Sequence, residues 1–237
     1  MASMTYGSLF AGIGGIDLGL ERAGMTPLWQ VERDPYCRLV LENHWPDVPR
    51  HSDIRNTANL PPVDLIAGGF PCQDISNAHT NGARRALDGD RSGLWSEFLR
   101  IVVDGRPRWV LVENVAAPER WLSGVRSDLA SHGYASVPLE LPAGSVGAPH
   151  KRPRIFVVAY ADSEGEPLGA LHETVAGVRP LSRRSGPWRS PPPGGFRVDD
   201  GVPRGMDRCR VLGNAVVPHV AEWLGRKIRA ADEGPGW

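Results

Sequence analysis

Cys72 and Glu113 are the two side chains whose type and setting point most directly to chemistry. The cysteine sits in Phe70-Pro71-Cys72-Gln73, on a tight proline turn after the apolar run Val63-Asp64-Leu65-Ile66-Ala67. Such a run reads as a buried strand. Glu113-Asn114-Val115 closes a second run of this kind, Trp109-Val110-Leu111-Val112. In an α/β sheet both groups then sit at the carboxyl ends of strands, the edge where such sheets place their ligands. A thiol beside a carboxylic acid on that edge fits covalent catalysis. A lone cysteine is more often a small packing residue. The proline before it, the glutamine after it and the acid on a neighbouring strand end outweigh that reading.

Phe10-Ala11-Gly12-Ile13-Gly14-Gly15 joins a strand-like run to a helical pattern. Glycines at such a turn let the backbone approach a ligand, and the helix N-terminus adds N–H donors. The pattern differs from the dinucleotide fingerprint and is weak alone. Glu32, ending the second strand and followed by Arg33, is placed to bind two ribose hydroxyls. Asp53-Ile54 suits an adenine amino group and its ring, and Phe10 offers an aromatic face to a sulfonium cation. Taken in order, the pieces point to a nucleotide-like cofactor rather than to a helix-packing glycine cluster with surface acids.

Two further stretches carry polar groups at element boundaries. His150-Lys151-Arg152-Pro153-Arg154 precedes an apolar strand, and arginine forks suit carbonyl, carboxylate or phosphate oxygens. The bland alternative is a basic turn. Gly213-Asn214-Ala215-Val216-Val217-Pro218 turns into a final helix, and alone it reads as an ordinary helix start. Cys37 and Cys209 lie in helix-like contexts and are expected to be packing residues. Neither the cysteines nor the seven histidines show metal-ligand spacing, so no metal is expected.

The elements that must position these groups alternate. Tyr6–Phe10, Pro27–Val31, Val63–Ala67, Trp109–Val112, Ser136–Leu141 and Ile155–Tyr160 are runs of strand length. Gly15–Ala23, Pro35–His44, Leu94–Asp104 and Trp121–His132 have helical spacing, and Asp34 before Pro35 reads as a helix cap. The alternation predicts a mostly parallel, doubly wound α/β sheet with helices on both faces. From 161 to 206 the sequence is rich in Gly and Pro with little periodicity; a helix is expected again at Pro218–Ala231. The expected organisation is 1–160, an irregular region 161–206, and a closing segment 207–237.

Composition narrows the setting. Hydrophobic residues at 41% and charged residues at 23% fit a soluble globular chain, and no run reaches membrane-span length. The N-terminus lacks a secretory pattern, and an odd count of three cysteines reads as free thiols in a reducing compartment; a cytoplasmic protein is expected. Charge is balanced at 27 basic against 27 acidic residues, so no global argument for a polyanionic partner exists. Locally, Arg179 to Arg210 holds eight arginines against three aspartates, which fits a phosphate-contacting surface or merely an arginine-rich composition.

In content, order and spacing, Phe10–Gly15, Pro71-Cys72-Gln73, Glu113-Asn114-Val115, Arg152-x-Arg154 and Gly213-Asn214-x-Val216-x-Pro218 jointly resemble the DNA (cytosine-5) methyltransferases. The resemblance implies a Rossmann-like methyltransferase fold whose last helix packs beside the first. It implies S-adenosylmethionine as cofactor and double-stranded DNA as partner, with the target base flipped out of the duplex. Cytosine carbon 5 is too weak a nucleophile to take a methyl group directly. A thiolate added at carbon 6 pushes electron density onto carbon 5, and an acid at ring N3 stabilises the adduct.

Carried over, Cys72 looks like the nucleophile, Glu113 the acid and Arg154 a base contact. Arg152 would position Glu113 or the DNA, and Asn114 would order the Cys72 loop. Phe10, Ala11, Gly12, Ile13, Gly14, Glu32, Arg33, Asp53, Ile54, Pro71, Asn214 and Val216 would line the cofactor site. Gln73, Ser76, Arg84, Arg85, Arg91, Arg183 and Arg184 would face DNA. The sequence departs from the family at His150, where glutamine is usual, and in residues 161–206, a short target-recognition region that implies a short or relaxed recognition sequence. A monomer is the default, and a cognate restriction endonuclease is left open as a partner. Two alternatives stand beside this reading: a binder of cofactor and DNA without turnover, and the same chemistry on RNA.

Overall fold

The computed structural model describes residues 3–71, 92–115, 121–147, 152–161 and 215–233. Among them, seven strands form one sheet: β1 (Thr5–Leu9), β2 (Thr26–Val31), β3 (Arg50–His51), β4 (Leu65–Gly69), β5 (Trp109–Val115), β6 (Tyr134–Pro142) and β7 (Pro153–Ala161). The spatial order is β3-β2-β1-β4-β5-β7-β6. β7 is antiparallel to both neighbours, and the remaining pairs are parallel. Among the described residues, five α-helices accompany the sheet: α1 (Gly15–Arg22), α2 (Pro35–His44), α3 (Ser92–Gly105), α4 (Leu122–Ser131) and α5 (Pro218–Asp232).

Strands buried on both faces must be apolar at successive positions. In β5, Trp109 and Leu111 join a core with Ile16 and Leu20 of α1 and Val220, Leu224 and Ile228 of α5. Val110 and Val112 face the opposite core, with Trp95, Phe98, Ile101 and Val102 of α3 and Val125 and Leu129 of α4. The expected doubly wound, mostly parallel sheet is thus present, with both faces covered.

α5 closes the fold against α1. A Cβ on Gly15 would lie 2.3 Å from the Val216 carbonyl oxygen, so only glycine admits this approach. Arg226 and Arg229 donate to the Arg22 and Ala23 carbonyls (3.3 and 2.8 Å), supplying cations where the α1 dipole is negative. At the far end of α5, Asp232 accepts from Trp109 Nε1 (2.9 Å) and pairs with Arg108 (2.7 Å).

The strand order reverses beside β1, which has β2 on one side and β4 on the other. A crevice at the carboxyl ends of these strands follows from that topology.

Candidate functional site

A cavity of about 440 Å³ opens at this edge, lined by residues at and just beyond the carboxyl ends of β1, β2, β4 and β5. At one end lies the turn between β1 and α1. Phe10, Gly12 and Gly14 all have left-handed φ (52, 57 and 82°), which bends the chain sharply at the cavity wall. The Glu32 carboxylate braces that turn. Its Oε2 accepts from the Gly12 N–H and its Oε1 from the Asp34 N–H, both at 2.7 Å. Asp34 in turn caps α2, accepting from Tyr36 N (2.9 Å) and Cys37 N (3.2 Å). Ile54 is buried and lines the same end, in a 3-10 turn that Asp53 caps through Arg55 N (3.0 Å).

The other end is built by β4, β5 and β7. Glu113 pairs across β5 and β7 near Arg154, whose Nε lies 3.0 Å from Oε1. A Cβ on Gly69 would lie 2.5 Å from Glu113 Oε2, so the carboxylate lies against bare β4 backbone. Burial pushes the Glu113 carboxyl up to about 7, and Arg154 and Arg152 pull it down without overcoming that effect. The Asn114 side chain crosses to β4, donating from Nδ2 to the Phe70 carbonyl (3.3 Å) two residues before Cys72. Phe70 rests on Trp95 and Trp121, ring centroids 5.6 and 5.9 Å away, and Trp121 Nε1 donates to Val115 O (3.3 Å). Aromatic packing therefore braces both strand ends from below.

Of the residues singled out from sequence, Phe10, Ala11, Gly12, Glu32, Arg33, Asp53, Ile54, Pro71, Glu113, Asn114, Arg154 and Val216 line one cavity. Ile13 and Gly14 do not; Gly14 caps α1, and its space is closed by the Trp45 ring. Arg152 is also absent from the wall. Its Nη2 donates to the Ala215 carbonyl (2.9 Å), and the direct ion pair to Glu113 comes from Arg154. Cys72, Gln73, Ser76, Arg84, Arg85, Arg91, His150, Arg183, Arg184 and Asn214 lie outside the described residues.

Sequence reading missed Gly15, Ile16, Val31, Asp34, Cys37, Arg55, Gly69, Phe70, Leu94, Val115 and Ala215 as lining residues. Cys37 is buried as a packing residue should be, yet it also lines the cavity. Most of the others directly adjoin predicted site residues, and that adjacency was the available signal.

This fold and this strand-edge cavity define the Rossmann-like methyltransferases, which use S-adenosylmethionine. A solved structure of a candidate DNA modification methyltransferase from an E. coli prophage superposes with a TM-score of 0.56 at 28% identity, covering 67% of this chain and 47% of the other. The C-5 cytosine-specific DNA methylase family profile matches residues 4–177, and the chain belongs to that family. Type II methyltransferase M2.BsuMI of Bacillus subtilis is 38% identical over 64% of this chain and 41% of its own length. Type II methyltransferase M.AquIA of Picosynechococcus is 34% identical over 64% of this chain and 69% of its own length. The chain thus spans less than half of the first relative and about two thirds of the second.

Proposed function

We propose that this protein transfers a methyl group from S-adenosylmethionine to carbon 5 of cytosine in duplex DNA. The observation that carries the proposal is Glu113: a buried carboxyl raised to about 7 that lines the same cavity as Pro71, the residue immediately before Cys72. A proton available near neutrality is what ring N3 requires.

The β1–β2 end suits the cofactor. Glu32 offers carboxylate oxygens for hydroxyl groups, Ile54 an apolar wall for a ring, and Phe10 an aromatic face for a cation. A Cβ on Gly12 would meet nothing within 4 Å, so the turn leaves open space at this wall. When bound there, S-adenosylmethionine supplies an electrophilic methyl group.

The protein's own residues do the rest. The Cys72 thiolate adds to cytosine carbon 6, while Glu113 gives or shares its proton at N3 so that the ring accepts the electron pair. Arg154 holds the Glu113 carboxylate in place and contacts the base. Asn114 ties the two strand ends, setting where the Pro71-Cys72 segment starts. After methylation, loss of the carbon 5 proton to a base expels the thiolate, and the N3 proton returns to Glu113 as the aromatic ring is restored. The mechanism needs access to both ring faces, so the base is flipped out of the duplex. Residues 161–206 recognise the sequence context, and their small number favours a short or relaxed site. The protein acts as a monomer in the cytoplasm.

The test is transfer of tritiated methyl from S-adenosylmethionine to unmethylated plasmid DNA, with transfer RNA as a second substrate and Cys72→Ala alongside. The product is then sequenced after chemical deamination of unmodified cytosine. Label at carbon 5 in a defined DNA context, absent from the variant, is expected. Cofactor binding without label on diverse DNA overturns the proposal; label confined to transfer RNA moves the substrate to RNA.

A further inference from the structure

Arg100 lies outside the cavity wall, yet it joins the cofactor end to the helix that follows the Cys72 segment in the chain. α3 buries Trp95, Phe98, Ile101 and Val102 against the sheet, which leaves Arg100 at the rim of that face, with its side chain 34% exposed. Its Nη2 donates to the Ile54 and Thr57 carbonyls, both at 2.9 Å. Glu97 Oε2 accepts from Nε (2.7 Å), and Asp104 Oδ2 lies 3.4 Å from Nη1. Two carboxylates of its own helix therefore orient the fork, and two carbonyls of one turn receive it.

That turn is a wall of the cavity. Ile54 is 3% exposed and lines it, as do Asp53 and Arg55. Within the turn, Thr57 Oγ1 donates to Asp53 O (2.7 Å), and Thr57 N donates to Ile54 O (3.2 Å). Arg100 thus supplies a second donor to Ile54 O and pins both ends of the turn from behind. α3 also contributes Leu94 to the cavity directly. A lysine in place of Arg100 has no planar fork and cannot serve two carbonyls and two carboxylates in fixed geometry.

We infer that Arg100 is a positioning residue for the cofactor. It sets the Ile54 wall against α3, so that the ring-binding surface and the helix following the nucleophile's segment move as one piece. The inference rests on reading this cavity as the S-adenosylmethionine site.

The test uses the full chain with Arg100→Met, Arg100→Lys and Glu97→Gln, each checked for a cooperative melt. Calorimetric titration with S-adenosylhomocysteine is paired with steady-state methyl transfer. Arg100→Met is expected to weaken binding of the product, and to raise KM for S-adenosylmethionine, by about tenfold. Turnover at saturating cofactor should change by less than about twofold, with the pH profile unmoved. Arg100→Lys should recover part of the loss, and Glu97→Gln should move in the same direction by a smaller factor. Unchanged affinity in folded variants, whatever happens to their melting temperature, overturns the inference, because a mere staple would behave that way. Should Arg100→Met not fold, unchanged affinity in both Arg100→Lys and Glu97→Gln overturns it equally. Wild-type protein that binds S-adenosylhomocysteine but transfers no methyl would refute the functional proposal alone; the binding arm would still decide this one.

Discussion

Glu32, just past β2, receives a backbone N–H on each carboxylate oxygen at 2.7 Å, whereas Glu113, inside β5, pairs with a guanidinium at 3.0 Å and is walled in by β4 and β7. Both stand at one edge of one sheet and line one cavity. Two amide donors fix the Glu32 side chain in place, as a brace for the glycine turn. At Glu113 burial raises the carboxyl to about 7, so that it can carry a proton near neutral pH. The same residue type becomes a backbone brace or a buried acid according to what surrounds it. A third acid, Asp17, shows that burial alone does not make a functional group. It is a fully buried residue of α1, held by Ser8 Oγ (3.1 Å) and Gln30 Nε2 (2.9 Å), and burial raises it to about 6, yet it does not reach the cavity.

Glu113→Gln breaks the contrast most severely. The amide cannot donate a proton to ring N3, so kcat should fall by about 10²–10⁴-fold, with affinity for S-adenosylhomocysteine little changed. The wild-type protein needs the protonated form, so log kcat/KM should decline as pH rises through about 7, and that limb should vanish in the variant. Stopped-flow methyl transfer across pH checks both.

Gly69→Ala attacks the same acid through its neighbour. The new Cβ would sit 2.5 Å from Glu113 Oε2 and must displace it. A shift of this size at a reacting group costs about 10²-fold in rate, so single-turnover rates should drop while cofactor titrations stay near wild type.

Glu32→Gln sharpens the other side. Its new NH2 opposes one of the two backbone N–H donors, and affinity for S-adenosylmethionine should weaken by about tenfold with kcat nearly intact. A KM effect here against a kcat effect at Glu113 would separate the two roles; the reverse would merge them.

Asp17→Asn should leave both parameters alone and change only stability. The unfolded carboxyl ionises near 3.8 and the folded one near 6, so the native state holds the proton longer. Wild-type stability is therefore full below about 4 and falls as pH rises through about 6. The variant should lack that decline, which is worth roughly 1–3 kcal/mol, measurable by urea melts at several pH values.

Much of this was legible in the sequence for identifiable reasons. α2 begins at Pro35 and ends at His44 as expected, because Asp34 caps it and proline fits its first turn. The strand runs were found because burial on both faces demands unbroken apolar residues. β3 was missed, since two residues without apolar character leave no pattern. β5 was expected to stop at Val112, but it continues through Glu113, Asn114 and Val115 because antiparallel β7 pairs them with Phe156, Ile155 and Arg154. That register decides which arginine reaches Glu113. The resemblance assigns the positioning of Glu113 or the DNA to Arg152 and the base to Arg154; the pairing sends Arg154 to Glu113 and Arg152 to the Ala215 carbonyl. Ile13 and Gly14 lie off the cavity wall for a similar reason, since a glycine-rich string does not say which of its members face the cavity.

Covalent capture on duplex DNA tests the central claim most directly. The substrate carries fluorine at carbon 5 of its cytosines, the reaction includes S-adenosylmethionine, and products are separated under denaturing conditions. Fluorine cannot leave as a proton does, so the elimination step stops and the adduct persists. A protein–DNA species with the wild-type chain, absent with Cys72→Ala, is the predicted result. Methyl transfer without any trapped species, or a trapped species that survives in Cys72→Ala, would contradict the account.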